Sequence, residues 1–288
     1  MSMASAFRYS SDRPRVAVFL GIGLIDLAVC LFVDNPLVVV AYCVVSMLPK
    51  GMTCAFNHHH QHLSTFHSRL LNRGLEVVYA LQTGVTSHTW TLHHTVGHHQ
   101  NYLDQSADES RWRRKSGSPM GRIEYSFITG ITAYYRAWKA GKNYPKYRAT
   151  FERMLVPVVA TVALLVYLRP FAGTAIFLVT PLAMLFGTAW ATYDHHSKRP
   201  TDPALGATTN VMSPLYNFWT GNLGFHSAHH FRPSAHWSKV PTIHALIAKQ
   251  IPADAYLEPG WPWNSLRAID SLIKSPKYRL PSTVVGPQ

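Results

Sequence analysis

Acidic residues are scarce in this chain. Fourteen Asp and Glu stand against 27 Lys and Arg, which leaves a formal net charge of +13 with His neutral. That shortage excludes a carboxylate dimetal bundle, which needs Glu residues and Glu-x-x-His pairs on core helices. Cysteine is scarcer still. Cys30, Cys43 and Cys54 all lie in apolar stretches. None has zinc-knuckle or CxxC spacing, so a disulfide framework and a thiol redox centre are excluded, and buried thiols are expected. No CxxCH and no ferredoxin-type cysteine run occurs. The chain also lacks a GxSxG elbow, a Walker loop and an HExxH motif, which removes the serine-hydrolase, P-loop and zincin readings. The opening MSMASAFRYSSDRPR does not read as a secretory signal, having no apolar core or cleavage pattern.

The chain is rich in apolar residues, and they are bunched. Val16 to Val33 is apolar except for Asp26, and Asp34-Asn35-Pro36 breaks the run. Leu37 to Leu48 resumes it, with room to continue past Pro49 and Lys50 to Phe56. Met154 to Leu168 and Phe171 to Thr192 form a second pair, parted by Arg169-Pro170. A helix needs about 20 residues to cross lipid, and these four segments are at or just below that length. Arg8, Arg13 and Arg15 precede the first pair, and thirteen more Lys and Arg fall between Arg69 and Arg153. Basic residues mark the cytoplasmic face. The expected fold is therefore an all-α membrane protein with four transmembrane helices in two hairpins, at about 16–33, 37–56, 154–168 and 171–192. Residues 57–153 and 193–274 form a cytoplasmic helical portion of one domain spanning 15–274, between a 1–14 tail and a loose 275–288 tail. Asp26 reads as a hydrogen-bonded or protonated carboxyl at a helix contact, with no partner visible in the sequence.

Seventeen histidines complete the pattern, and none lies in the two short turns. Four groups stand out. His58 and His62 are spaced i, i+4 in NHHHQH, and His94, His98 and His99 are spaced i, i+4, i+5 in HHTVGHH. His195 and His196 follow the fourth apolar run, and His226, His229 and His230 are spaced i, i+3, i+4 in HSAHH. Residues four apart share a helix face. Imidazole nitrogens bind Fe, Zn, Cu and Ni, and one ion takes about four to six ligands. The helically compatible positions supply enough nitrogens for two metals. His67, His88, His236 and His244 stand alone and read as surface or packing residues.

These residues resemble the membrane fatty acid desaturase and hydroxylase superfamily. Its three histidine boxes are matched by His58-HHQ-His62, His94-TVG-His98-His99 and His226-SA-His229-His230. The resemblance covers about residues 15–245. It implies a non-haem di-iron centre held by His58, His62, His94, His98, His99, His226, His229 and His230, with a further ligand soon after the fourth span. His195 and His196 compete for that place, and His195 is chosen because it follows Asp194. Asn222 resembles a residue that acts beside one iron through a water. His59, His60, His93 and His196 are surplus, so a ligand can shift by one within a box.

The resemblance further implies an O2-dependent oxidoreductase acting on an unactivated C–H bond of a fatty acyl or lipid chain. Insertion of a double bond leads; hydroxylation, acetylenic bond formation, decarboxylation to an alkene and carotenoid oxidation share the site. The substrate is free, lipid-bound, or carried on CoA or acyl carrier protein. Electrons come from an external protein of ferredoxin, rubredoxin or cytochrome b5 type. The expected location is an integral membrane site on the cytoplasmic side, with a bacterial inner membrane preferred over ER. Asp104, Asp108, Glu109 and Asp194 are candidates to orient ligand rings, each but Asp194 reading first as a solvated loop carboxylate. RWRRK, 111–115, suits an acidic carrier, an acidic electron donor or anionic lipid. Residues 120–142 read as an interfacial helix, and Trp261 to Ser275 as another or as a domain cap. From a different class, a metal transporter would place histidines within the spans, where none lies. Nucleic acid is not expected as a partner, since the basic residues track the membrane face.

Overall fold

The computed structural model of the chain describes residues 6–258 and 263–266. The 275–288 tail, and all of Trp261 to Ser275 except residues 263–266, lie outside them. The described residues form helices and loops with three isolated bridges and no sheet.

Among the described residues four helices are long and apolar enough to cross a membrane: α1 (Asp12–Phe32), α2 (Pro36–His62), α5 (Pro145–Leu168) and α6 (Pro170–His196). The breaks are chemical. Asn35 Oδ1 accepts from the N–H groups of Leu37 at 2.9 Å and Val38 at 3.4 Å, and Pro36 opens α2. This is the N-cap and first-turn proline that helices favour. Pro145 and Pro170 open α5 and α6 in the same way. Three of the expected spans extend past their apolar stretches. α2 passes Pro49 to reach His62, α5 begins nine residues before Met154, and α6 runs four residues beyond Thr192.

At one end the two interhelical turns meet. Arg169 donates to the Leu31 carbonyl, to the Val33 carbonyl at 2.9 Å and to Asp34 Oδ1 at 2.7 Å. At the other end Asp12 accepts from Trp237 Nε1 at 2.7 Å and lies 3.0 Å from His236 Nε2. Tyr144 donates to Gln100 there, at 2.9 Å. The start of α1 and the start of α5 are thus joined to the segments 57–144 and 197–258. Between the ends, lipid-like faces remain bare. In α5 only Thr150, Phe151 and Leu165 are buried, while Val156, Val159, Leu164 and Tyr167 are exposed.

Two shorter helices flank the bundle. α3 (Arg69–Thr83) is capped by Ser68 and ends on Gly84 at φ 69°. A Cβ on Gly84 would stand 2.6 Å from the Pro181 carbonyl oxygen, so the turn that ends α3 needs glycine where it packs against α6. α4 (Arg122–Ala140) exposes Ile123, Phe127, Ile131 and Tyr135, one turn apart along one side, and buries Ser126, Thr129, Ala133 and Arg136. That pattern fits the interfacial helix read from the sequence.

Asp26 has partners that the sequence did not disclose. Its Oδ1 accepts from Lys50 Nζ and from Tyr42 Oη, each at 2.7 Å, and both members of the ion pair are buried. The signal was present, since Lys50 follows Pro49 inside the same apolar run. A buried pair costs several kcal/mol when only one partner is removed, about 3–5 kcal/mol. Lys50→Met should therefore lower the unfolding midpoint in detergent by more than the double variant Asp26→Leu/Lys50→Met. Equal loss in the two would show that the pair is not coupled.

Candidate metal centre

The histidines arrive on four pieces of backbone. α2 carries His58 and His62 in its last turns, and α6 ends on His195 and His196. His93 and His94 lie on a π-helical turn, Thr91–Val96, and the N–H groups of His98 and His99 both reach back to the His94 carbonyl, at 3.0 and 2.9 Å. Such wide turns recur at functional sites, and this one turns His94, His98 and His99 inward together. The short helix α7 (His226–Phe231) carries His226, His229 and His230. Between Thr220 and His226 the chain is held by close approaches. Gly221 has φ 61° and Asn222 φ 68°. At Gly224 a Cβ would fall 2.1 Å from the Val211 carbonyl oxygen and 2.6 Å from Asn217 Oδ1.

Two groups of converging nitrogens result. His58, His62, His94, His99 and His229 form one, and His98, His196 and His230 the other, each with its donor atoms within 4.8 Å of one another. The rings of His99 and His230 stack at 4.1 Å, so the groups adjoin. His226 joins the second through Nε2, 3.1 Å from His196 Nε2. Eight of the nine histidines expected as ligands are thereby brought together.

The ninth is His195, and here the geometry departs from the expectation. His195 Nε2 lies 3.0 Å from Tyr216 Oη, and its ring packs on His226 at 4.0 Å. Its neighbour His196 faces His98 and His226 instead. On a helix, adjacent residues point about 100° apart, and α6 is helical through both. His196 turns its Nε2 into the group, while His195 adjoins it from the side and turns its Nε2 to Tyr216. The preceding Asp194, on which the choice rested, pairs with Arg122 and is substantially exposed.

The hydrogen bonds test whether this arrangement suits a metal. His196 Nδ1 lies 3.1 Å from the Ala207 carbonyl oxygen. A carbonyl only accepts, so Nδ1 carries the proton and Nε2 is bare. His98 Nδ1 likewise meets Asp108 Oδ1 at 2.8 Å, which leaves Nε2 bare in the neutral ring. Yet these two Nε2 atoms are 3.0 Å apart. In the first group His99 Nε2 faces both His94 Nε2 at 3.0 Å and His229 Nε2 at 3.1 Å. One proton cannot bridge three nitrogens. Lone pairs so close repel unless a cation lies between them. Two nitrogens, each about 2.1 Å from one ion and at right angles, would be about 3.0 Å apart. The residues fit a pair of metal ions.

The surrounding shell corrects one expectation and adds to others. Asp108 is a buried carboxylate that orients His98, not a solvated one, and it also accepts from the Ser110 N–H at 2.7 Å. Asp104 matches its solvated reading and binds only its own loop, at Ser106. Arg136 on α4 donates to the Glu109 carbonyl and so ties the loop down. His59 and His60 serve the scaffold. His59 Nε2 meets the Thr220 carbonyl oxygen at 3.0 Å, and His60 lies between Thr65 and Glu76 at 2.9 and 3.2 Å. Glu76, which sequence reasoning missed, also pairs with Arg73 and accepts from Ser87. His93 is buried without a hydrogen-bond partner among the described residues. Asn222 Nδ2 donates to the Trp237 carbonyl at 3.0 Å, and its Oδ1 is buried and unpartnered among the described residues. Of the lone histidines, His67 is exposed, His88 is half-buried, and His236 and His244 pack inside.

Two cavities adjoin the histidines. A small one of about 40 Å³ is lined by His93, His94, His98, His195 and His196 with Thr129 and Thr192. A larger apolar one of about 240 Å³ runs between α2 and α6, past Met47, Gly51, Cys54, Met184 and Gly187, to His58 and His195.

A family model described as fatty acid desaturase matches residues 35–281. Comparison with curated proteins and with solved structures gives no match.

Three outcomes follow. His196→Ala should lose bound metal while His195→Ala retains it, as read by elemental analysis of purified protein. Asp108→Asn should weaken metal binding about 10–100-fold, the usual effect of losing an orienting partner. Burial, reinforced by neighbouring imidazoles, holds His94, His99, His226, His229 and His230 well below the ordinary histidine value. The unfolded chain takes up protons near pH 6.5, and the folded chain does not. The metal-free protein should thus lose stability steadily as pH falls below about 6.5. Unfolding midpoints from pH 8 to pH 5 would measure this.

Proposed function

The chain belongs to the fatty acid desaturase family, and on that premise we propose that it introduces a double bond into a fatty acyl or other lipid chain. The observation that carries the reading is the pairing of two converging nitrogen groups with an apolar cavity that reaches His58 of the first. When bound, two iron ions supply the oxidising power needed to break an unactivated C–H bond, with O2 as co-substrate and electrons from an external protein. His58, His62, His94, His99 and His229 would hold one ion, and His98, His196, His226 and His230 the other.

The chain's own part is placement and exclusion. Asp108 and the Ala207 carbonyl fix which ring nitrogen of His98 and of His196 is bare. Asn222, whose Oδ1 has no partner among the described residues, is the further candidate to act beside one ion. The cavity walls from Met47 to Gly187 keep an alkyl chain dry and direct it toward His58. Thr188, Thr192 and the His195–Tyr216 pair line its inner end. Met47 and Leu48 are exposed at its outer end, which favours entry from the bilayer.

The four long helices cross the membrane as two hairpins, with the histidines on the cytoplasmic side. The excess of Lys and Arg between Arg69 and Arg153 supports that orientation. An electron-transfer protein of ferredoxin, rubredoxin or cytochrome b5 type would dock on this basic face. A metal transporter is disfavoured, because the nitrogens cluster at helix ends and not along a path through the spans.

Purified protein should hold close to two irons per chain, and cells expressing it should accumulate a new unsaturated lipid. His98→Ala or His229→Ala should abolish the product, whereas His244→Ala should retain it at reduced stability. Gly187→Leu should keep both irons and cut turnover at least tenfold, because a Cβ there meets open space and the longer side chain fills the cavity. An oxygenated product instead of an alkene would assign hydroxylation. Zero or one iron with unchanged lipids would overturn the reading.

A further inference from the structure

The exposed apolar row of α4 ends on Trp138, which is itself exposed. Positive charge begins there. Lys139, Lys142, Lys146, Arg148 and Arg153 follow, and Glu152 is the single acidic residue between Glu124 and Asp194. Two of these cations converge on the Trp138 ring. Arg148 Cζ lies 4.3 Å and Lys142 Nζ 5.3 Å from its centroid, so the two charges are at most about 10 Å apart. Both keep donors to spare. Arg148 gives Nε to Glu152 Oε1 at 2.8 Å, and neither of its Nη groups has a hydrogen-bond partner among the described residues. Lys142 is exposed and forms no hydrogen bond or ion pair among them. Gly141 permits the convergence. A Cβ there would stand 2.9 Å from Arg148 Cβ, so the bare backbone lets the end of α4 close onto α5.

Two like charges drawn to one ring repel each other, and one carboxylate cannot balance both. An anion would. The position of the cluster says which kind. It continues an apolar row suited to a membrane surface, and Arg148 stands six residues ahead of Met154, where α5 becomes continuously apolar. At about 1.5 Å per residue the guanidinium lies about 9 Å before that run, at the depth of lipid headgroups. Tryptophan is enriched at the same level. A guanidinium fork and an ammonium are the donors that a phosphate diester accepts, and the indole gives its glycerol and upper acyl carbons an apolar face. We infer that Trp138, Lys142 and Arg148 form a headgroup site for one anionic phospholipid, in the leaflet on the histidine side. The inference rests on α5 crossing the membrane and is independent of the reaction at the histidines.

The test uses the full chain in detergent with an equimolar mixture of dioleoyl phosphatidylglycerol and dioleoyl phosphatidylcholine, and native mass spectrometry counts the lipids retained. Phosphatidylglycerol should be retained saturably, and about fivefold or more in preference to phosphatidylcholine. Lys142→Ala should weaken its retention about fivefold, the usual effect of one basic charge beside anionic lipid. The double variant Lys142→Glu/Arg148→Glu should abolish the preference. Trp138→Leu, which keeps both charges, should weaken retention about threefold by releasing the cations from the ring. Arg113→Ala serves as the control. It removes an exposed cation that also lies over an indole, that of Trp112, and should leave retention unchanged. Equal retention of the two lipids would overturn the inference. So would as large a loss in Arg113→Ala as in Lys142→Ala, which would reveal a diffuse basic surface. Displacement of the lipid by an equal concentration of sn-glycerol 3-phosphate would assign a free phosphate and overturn the lipid. Lys142 is exposed, so Lys142→Ala decides even if the Arg148 or Trp138 variant fails to fold.

Discussion

Lone pairs that face one another at hydrogen-bond distance, with too few protons to go between them, are the constraint on which this molecule is built. An imidazole whose Nδ1 is committed to a carbonyl or a carboxylate has only its Nε2 lone pair to offer. His98 and His196 are both in that state, and they point at each other. The chain closes this contact by force of its scaffold. Long helices deliver the rings, a π-helical turn crowds three of them together, and buried carboxylate and carbonyl oxygens hold them from behind. A cation placed between the rings would turn this repulsion into attraction, and metal binding would then be linked to folding of this end.

α2 shows how one helix serves several purposes at once. Its faces are separate along 27 residues. One carries His58 and His62. Another is a polar ladder in which Thr53 meets Gln82, Asn57 donates to Thr83 and to the Val85 carbonyl, and Gln61 donates to Asn57. The Gln61 carboxamide oxygen then accepts from the N–H groups of Trp90 and Thr91, at 2.9 and 3.1 Å. The ladder sets the rotation of α2 against α3 and fixes the start of the segment that bears His94. A one-residue change in helix phase would move the ladder and the ligands together.

Much of this was legible in the sequence. Apolar runs with helix-breaking turns marked the four long helices, and histidines at i, i+3, i+4 and i+5 marked the centre, because both signals are local. What stayed hidden depends on contacts far apart in the chain. Lys50 lies 24 residues from Asp26, and nothing in either neighbourhood names the other. Asp108 looked like any loop carboxylate until the loop folded under His98. The orientation of His195 and His196 depends on helix phase, and Asp194, the neighbour that guided the choice between them, turns outward to Arg122. Glu76 sits in a polar helix with no motif around it, and only the folded chain brings it to His60.

Gly224 is not a ligand, lines neither cavity beside the histidines, and would escape any search for reactive side chains. Its hydrogen atom occupies a gap that admits nothing bigger, two residues ahead of the helix bearing His226, His229 and His230. Drift at this position would spoil the centre while leaving every histidine in the text. A homologue that keeps all the boxes but carries a side chain here should be read as a pseudoenzyme.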